Sequence, residues 1–370
     1  MFLSPVPAPL RRLRLLALLA IAAVTALTAA PAADARVPND FVGLTSDDVF
    51  GGSQSYRNTN LSAQAAVGTG LLRQAFDWST IETSPGHYNL ARYDAYVSTA
   101  AAHGIKILPV LFNAPSFRAK GHGGHGTWPP ASNAAYAAFA KVIVRRYGRN
   151  GTLWSSHPGI PKKAFTAYQI WNEPSLKVYW LRKPSARAYA RMLKTVGRGI
   201  KSVDRRAEIV TAGLPNSFLG GSIPVFKYIQ QLYRAGGKRY FDTLAFNAYA
   251  RNSRELARLL NKLRKLMNKN HDRRAKIWIT EIGWASSGPR SRFTVGSRRQ
   301  ASNISKSFAV IRKLRKRYRL RGVVYYSWRD LAPYPPQFRN MWGLHTGLLT
   351  RGGGTKRAFQ AYKKAVSRLR

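Results

Sequence analysis

The sequence predicts an α/β protein, a single (β/α)8 TIM barrel after an N-terminal signal peptide. Three observations lead there. Eight short apolar runs alternate with eight amphipathic stretches across the chain. The runs are near-continuously apolar, as parallel strands buried on both faces are. The few acidic residues gather at the C-terminal ends of those runs, where barrels of this kind place their sites. A doubly wound sheet is the alternative, because periodicity alone does not close a barrel.

The elements follow in order. Strands are expected at 41–46, 70–76, 105–112, 165–171, 207–213, 241–248, 276–281 and 322–328. Helices are expected at 61–67, 90–102, 133–147, 185–203, 223–234, 254–268, 297–318 and 356–369. Ser132 and Pro184-Ser185 read as helix starts. Gly68 and Gly104 stand where helices end in a left-handed residue. No linker and no low-complexity tract interrupts the pattern.

Residues 1–35 read as a leader. Arg11, Arg12 and Arg14 precede an apolar stretch over 15–30, and Ala33-Asp34-Ala35 supplies a small-x-small cleavage pattern. The expectation is export, with cleavage after Ala35 and a secreted or cell-wall-associated product that has no stable membrane span. An uncleaved anchor is the alternative. Residues 36–370 are then the single folded domain, expected to be a monomer.

Composition narrows the chemistry. The 370 residues include no cysteine, which excludes disulfides, thiolate metal sites and a cysteine nucleophile. Lys and Arg number 61 against 15 Asp and Glu, a formal charge of +46. Loss of the leader leaves 58 basic and 14 acidic residues, or +44. Such an excess points to an anionic partner. Basic runs at 254–269 and 306–321 carry Leu and Ile at helical spacing, so they read as solvated outer faces of barrel helices. Their functional reading is electrostatic association with an anionic cell-wall polymer or acidic glycan. Nothing resembles a nucleic-acid module, and no nucleic acid is expected as partner.

Only five glutamates occur, and two of them, Glu173 and Glu281, close the fourth and seventh strands. Asp47 and Asp48 follow strand one, Asp77 strand two and Asp330 strand eight. Glu173 lies in Ala167-Tyr168-Gln169-Ile170-Trp171-Asn172-Glu173-Pro174, and Glu281 in Lys276-Ile277-Trp278-Ile279-Thr280-Glu281. These segments resemble the Asn-Glu-Pro acid/base motif and the nucleophile strand of the clan A glycoside hydrolases. That group has cellulase-like, xylosidase-like and iduronidase-like members. The resemblance covers the whole mature chain, because strand count and strand position agree as well.

The resemblance implies a retaining hydrolase of O-glycosidic bonds in a poly- or oligosaccharide, working without cofactor or metal. Two carboxyl groups suit that chemistry: one protonates the leaving oxygen while the other attacks the anomeric carbon. It implies Glu173 as acid/base and Glu281 as nucleophile, with Asn172 on a sugar hydroxyl. It implies that Arg73, a charge inside an apolar strand, keeps Glu281 ionised, and that Tyr249 donates to it. Asn247 stands where the clan often has His, and Asn113 where cellulase-like members often have His. Both departures leave the sugar subsite open. Trp328 resembles the strand-eight platform under the reacting sugar, and Trp284 and Trp180 are candidates for further subsites. Gly121-His122-Gly123-Gly124-His125-Gly126 reads as a mobile lid rather than a metal loop. A non-catalytic carbohydrate- or wall-binding protein on the same barrel is the rival reading.

Overall fold

Eight parallel strands close on themselves in the computed structural model. The structure describes residue 1 and residues 36–370, apart from 125, 182, 217–219 and 334–339. The barrel belongs to the unit Pro38–Arg370; Met1–Val37 forms a separate one. The expected leader and its cleavage site lie outside the described residues.

The barrel strands are β1 (Val42–Leu44), β2 (Leu71–Asp77), β3 (Lys106–Phe112), β4 (Ala167–Ile170), β5 (Glu208–Val210), β6 (Thr243–Asn247), β7 (Lys276–Ile282) and β8 (Leu320–Tyr325). Each pairs in parallel with the next, and β8 returns to β1 with Val42 opposite Val323. The helices are α1 (Gln54–Ala66), α2 (Ala91–Ala102), α3 (Asn133–Tyr147), α4 (Ala186–Val203), α5 (Val225–Arg234), α6 (Ser253–Lys269), α7 (Ser297–Tyr318) and α8 (Arg357–Ser367). None of the described helices is long and apolar enough to cross a membrane.

Local sequence explains the helix starts. The side chains of Ser53, Ser132, Ser185 and Asn252 each accept a backbone N–H of the first turn of α1, α3, α4 and α6. The helix α1 begins seven residues ahead of its expected start. Its buried face is partly polar: Asn60 and Gln64 are buried beside Leu61, so an apolar period does not reveal it. Gly68 and Gly104 take φ of 85° and 74°, as expected past a helix end.

Side-chain layers inside the barrel place the site. Leu71, Leu108, Ala167, Val210, Ala245, Trp278 and Val324 form one buried apolar cluster. Two residues further along, the same strands present Arg73, Gln169, Asn247 and Thr280, all buried. Period two therefore stacks a polar layer on an apolar plug. The fifth strand is shorter than the 207–213 expected, and Leu214–Pro215 pairs with β6 instead. A Cβ on Gly213 would stand 2.4 Å from Asn247 Oδ1, so only glycine permits that approach. The eighth strand ends at Tyr325, three residues before its expected end.

Candidate active site

Glu281 is reached from β7 through an irregularity in the ladder. The register against β6 shifts between Ile279 and Glu281, which sets Glu281 opposite Asn247. Such an extra residue turns a side chain that strict alternation would send outward. Thr280 and Glu281 consequently both face polar partners within the barrel: Thr280 Oγ1 donates to Asn247 Oδ1 at 2.9 Å.

Glu173 is set by backbone geometry past the end of β4. Trp171 and Glu173 occupy left-handed φ of 70° and 44°. For residues other than glycine each such conformation costs about 1–3 kcal/mol and tends to mark a functional site. The Glu173 N–H donates to Gly213 O, and Leu176 N–H to Glu173 O, which anchors the turn.

The two glutamates have opposite surroundings. Glu281 accepts from Arg73 Nη1 at 2.8 Å and from Tyr249 Oη at 2.5 Å. Arg73 is fully engaged in the polar layer, with Nε on Gln169 Oε1 at 2.9 Å and Nη2 on Asn172 Oδ1 at 2.8 Å. Tyr249 is driven well above its ordinary pKa, first by burial and then by the charge of Glu281, so it is a fixed donor. Glu173 accepts a single side-chain bond, from Asn247 Nδ2 at 2.7 Å. Burial, then the charge of Glu281, push Glu173 up to about 8, against the lowering pull of Asn247 and Arg73. One carboxylate is thus clamped by donors, while the other holds a proton at neutral pH. That division equips the pair for nucleophilic and acid/base roles.

A third carboxyl lies in electrostatic reach of Glu281 and Arg73. Desolvation raises Asp47, after β1, to about 6; Arg73 opposes this, while Asp48 and Glu281 add to it. The other rim acids have structural tasks. Asp48 binds Tyr56 and Arg329, Asp77 caps the turn after β2, and Asp330 pairs with Lys356.

The structure brings together Glu173, Glu281, Arg73, Tyr249 and Asn172 as the sequence leads one to expect. Asn113 is turned away from a sugar role: its Nδ2 donates to Asp77 and Ser79. The three tryptophans are corrections. Trp328 is 1% exposed, and its Nε1 donates to Asn60 on α1, behind the barrel. Buried in that position, it is not open to stack on a sugar. Trp284 is fully buried with Nε1 on Ala250 O. Trp180 is buried edge-on against Trp171 and Tyr189. A ring sealed on both faces does not stack on a sugar.

Phe112, Tyr179, Tyr326 and Trp342 stay half-buried at this rim. Tyr179 and Trp342 stand among the aromatics that sequence reasoning places at strand ends or in the loops after them; Phe112 and Tyr326 were missed. Trp342 packs edge-on to Tyr249 at 5.0 Å between centroids, and Tyr326 lies in electrostatic reach of the same Tyr249. Gln169 was also missed, although a glutamine inside an apolar strand carries the same signal as Arg73. In the glycine-rich loop after β3, residue 125 lies outside the described residues. Around it, Trp128 Nε1 holds Gly123 O and Thr127 N–H holds Val178 O. The described residues contain no group of three potential metal ligands.

No family model matches the chain, and no curated protein matches it by sequence. Solved structures do match. A family 39 glycoside hydrolase from the gut symbiont Bacteroides cellulosilyticus WH2 superposes with TM-score 0.64 at 20% identity, covering 90% of this chain and 64% of its own. The GH39 enzyme from Xanthomonas axonopodis pv. citri gives 0.66 at 17%, covering 89% and 66%. Xylanase 10B from Thermotoga petrophila RKU-1 gives 0.59 at 15%, covering 89% and 94%. The chain therefore has the (β/α)8 barrel fold that these glycoside hydrolases share. It spans about two thirds of the length of the two family 39 chains.

Proposed function

We propose that this chain is a retaining glycoside hydrolase. The carrying observation is the unequal pair: Glu281 held by Arg73 and Tyr249, and Glu173 raised to about 8 across the same polar layer. The fold it shares with family 39 glycoside hydrolases and a xylanase supports the bond class. A carboxylate oxygen of Glu281 attacks the anomeric carbon as Glu173 gives its proton to the departing glycosidic oxygen. The bond to that oxygen breaks and a glycosyl ester on Glu281 forms. Glu173, now ionised, takes a proton from water. That water attacks the anomeric carbon and frees Glu281 with the configuration retained. Asn172, ordered by Arg73, faces the sugar hydroxyl beside the reacting carbon.

We propose further that residues 1–35 are an export leader and that the catalytic unit works outside the cytoplasm on a poly- or oligosaccharide. The test is a panel of purified polysaccharides, acidic glycans included, with the products read by NMR at early times. Release of reducing ends with retained configuration, abolished in Glu281→Gln, is the expected result. Inverted product overturns the mechanism. Binding without release installs the rival, a carbohydrate-binding barrel.

A further inference from the structure

We propose that the outer face built by α6, α7 and α8 is a docking surface for an acidic, carboxylate-bearing polysaccharide. All but one of the barrel's described acids lie away from open surface. Among the described residues Asp242 is the one exposed acid, and it pairs with Lys201. From residue 256 to the C-terminus the chain carries 29 lysines and arginines against three acids, Asp272, Glu281 and Asp330. Asp272 is buried on Tyr233, Glu281 lies in the candidate active site and Asp330 holds Lys356.

The cations are arranged, not scattered. On α6, Arg254, Arg258, Lys262, Lys265 and Lys269 follow steps of four, four, three and four residues, and all five are exposed. At 1.5 Å per residue they form one stripe about 22 Å long. None of the five has an ion-pair partner among the described residues. On α7, Arg299, Lys306, Lys313 and Arg317 lie along one face at steps of seven, seven and four residues, again exposed. Lys363 and Lys364 continue it on α8, and α7 packs between α6 and α8. Like charges three or four residues apart destabilise a helix, whereas acids in the same positions would stabilise it. Helix α4 carries cations at the same spacing, Arg187, Arg191, Lys194 and Arg198, so spacing alone does not select a face; the α6 face is set apart because α7 and α8 extend it. An anionic polymer laid along the stripes supplies the missing counter-charge.

Two further observations select the polymer. No large apolar side chain is exposed on these helices among the described residues, so the face offers neither a membrane wedge nor a base-stacking platform. The stripe also leads to the candidate active site: α6 starts four residues after Tyr249, and Arg292, in the loop after β7, pairs with Glu255 in its first turn. A glycan held there extends toward Glu281. The choice of a glycan over other polyanions rests on the glycosidase reading; the anionic face itself does not.

The test is equilibrium binding of the full chain to polygalacturonate across a salt series. The variant Arg258→Gln, Lys262→Gln, Lys265→Gln, Lys269→Gln is compared with a control of equal charge on a different face, Arg187→Gln, Arg191→Gln, Lys194→Gln, Arg198→Gln on α4. The α6 variant is expected to bind at least tenfold more weakly. Its plot of log affinity against log salt is expected to be shallower by about two to three, at roughly 0.7 for each lost contact with a single-chain polyanion. The α4 control stays within twofold of the wild type. Equal losses in both variants reduce the effect to net charge and overturn the docking face. Duplex DNA binding more tightly than polygalacturonate at equal salt overturns the glycan. Turnover of a short aryl glycoside is measured in parallel and stays unchanged in both variants. Its absence from the wild type refutes the glycosidase reading and leaves the binding result to stand or fall separately.

Discussion

Glu173→Gln isolates the proton that the acid/base role needs. A glutamine keeps an oxygen for Asn247 Nδ2 and nearly the same volume, so titration is the property removed. In the fold the wild-type carboxyl titrates at about 8 instead of the ordinary 4.5. Between those values the folded protein holds a proton that the unfolded chain has released. This contribution to stability is whole below the unfolded value and is lost as pH rises through about 8. The displacement corresponds to a difference on the order of a few kcal/mol across that window. Urea unfolding at pH 5 and pH 8 is expected to show the wild type losing stability relative to Glu173→Gln as pH rises. The same proton governs rate. In the wild type kcat/KM is expected to fall above about pH 8, where the acid is ionised. In the variant that limb disappears, and kcat/KM drops about 10²–10⁴-fold on substrates with poor leaving groups. In Glu173→Ala, where truncation leaves room for it, azide is expected to restore part of the rate on an activated substrate. An alkaline limb that persists in Glu173→Gln, or equal stability slopes for both proteins, refutes the reasoning.

Three other substitutions probe the neighbours. Tyr249→Phe removes one of the two donors on Glu281 and should lower kcat/KM about ten- to a hundredfold, the weight of a hydrogen bond to a charged group; a change under twofold counts against the clamp. Gly213→Ala drives a methyl group into Asn247, which should cost about 1–3 kcal/mol. Because the Asn247 bond lowers the Glu173 pKa, loosening it should move the alkaline limb upward, and a downward move contradicts the assignment. Trp328→Phe loses the bond to Asn60 and should cost about 1–2 kcal/mol of stability with KM unchanged; a raised KM at full stability would restore it as a sugar platform.

Much of the barrel is legible in one sequence because each of its strands is buried on both faces and reads as an apolar run. A polar residue inside such a run stands out, as Arg73 does within β2 and Asn247 within β6. The weakest reading concerned aromatic exposure. Trp180, Trp284 and Trp328 follow strand ends, as Trp342 does, yet three are sealed and Trp342 remains half-buried beside Tyr249. Nothing local distinguishes them, since accessibility depends on which helix or loop lies over the ring. The early half of α1 was hidden because its buried side chain, Asn60, is polar.

Period, spacing and residue type by themselves determined the strand and helix order, the pair of glutamates at strand ends and the presence of a charge, Arg73, inside an apolar strand; the role of that charge was implied by the family resemblance. Those are properties of neighbours along the chain. Closure of the ring determined the rest: that Arg73 bridges β2, β4 and β7, that a shifted register turns Glu281 inward, and that Glu173 loses enough water to keep its proton. Desolvation and register arise between strands far apart in sequence, so they exist only once the chain has folded.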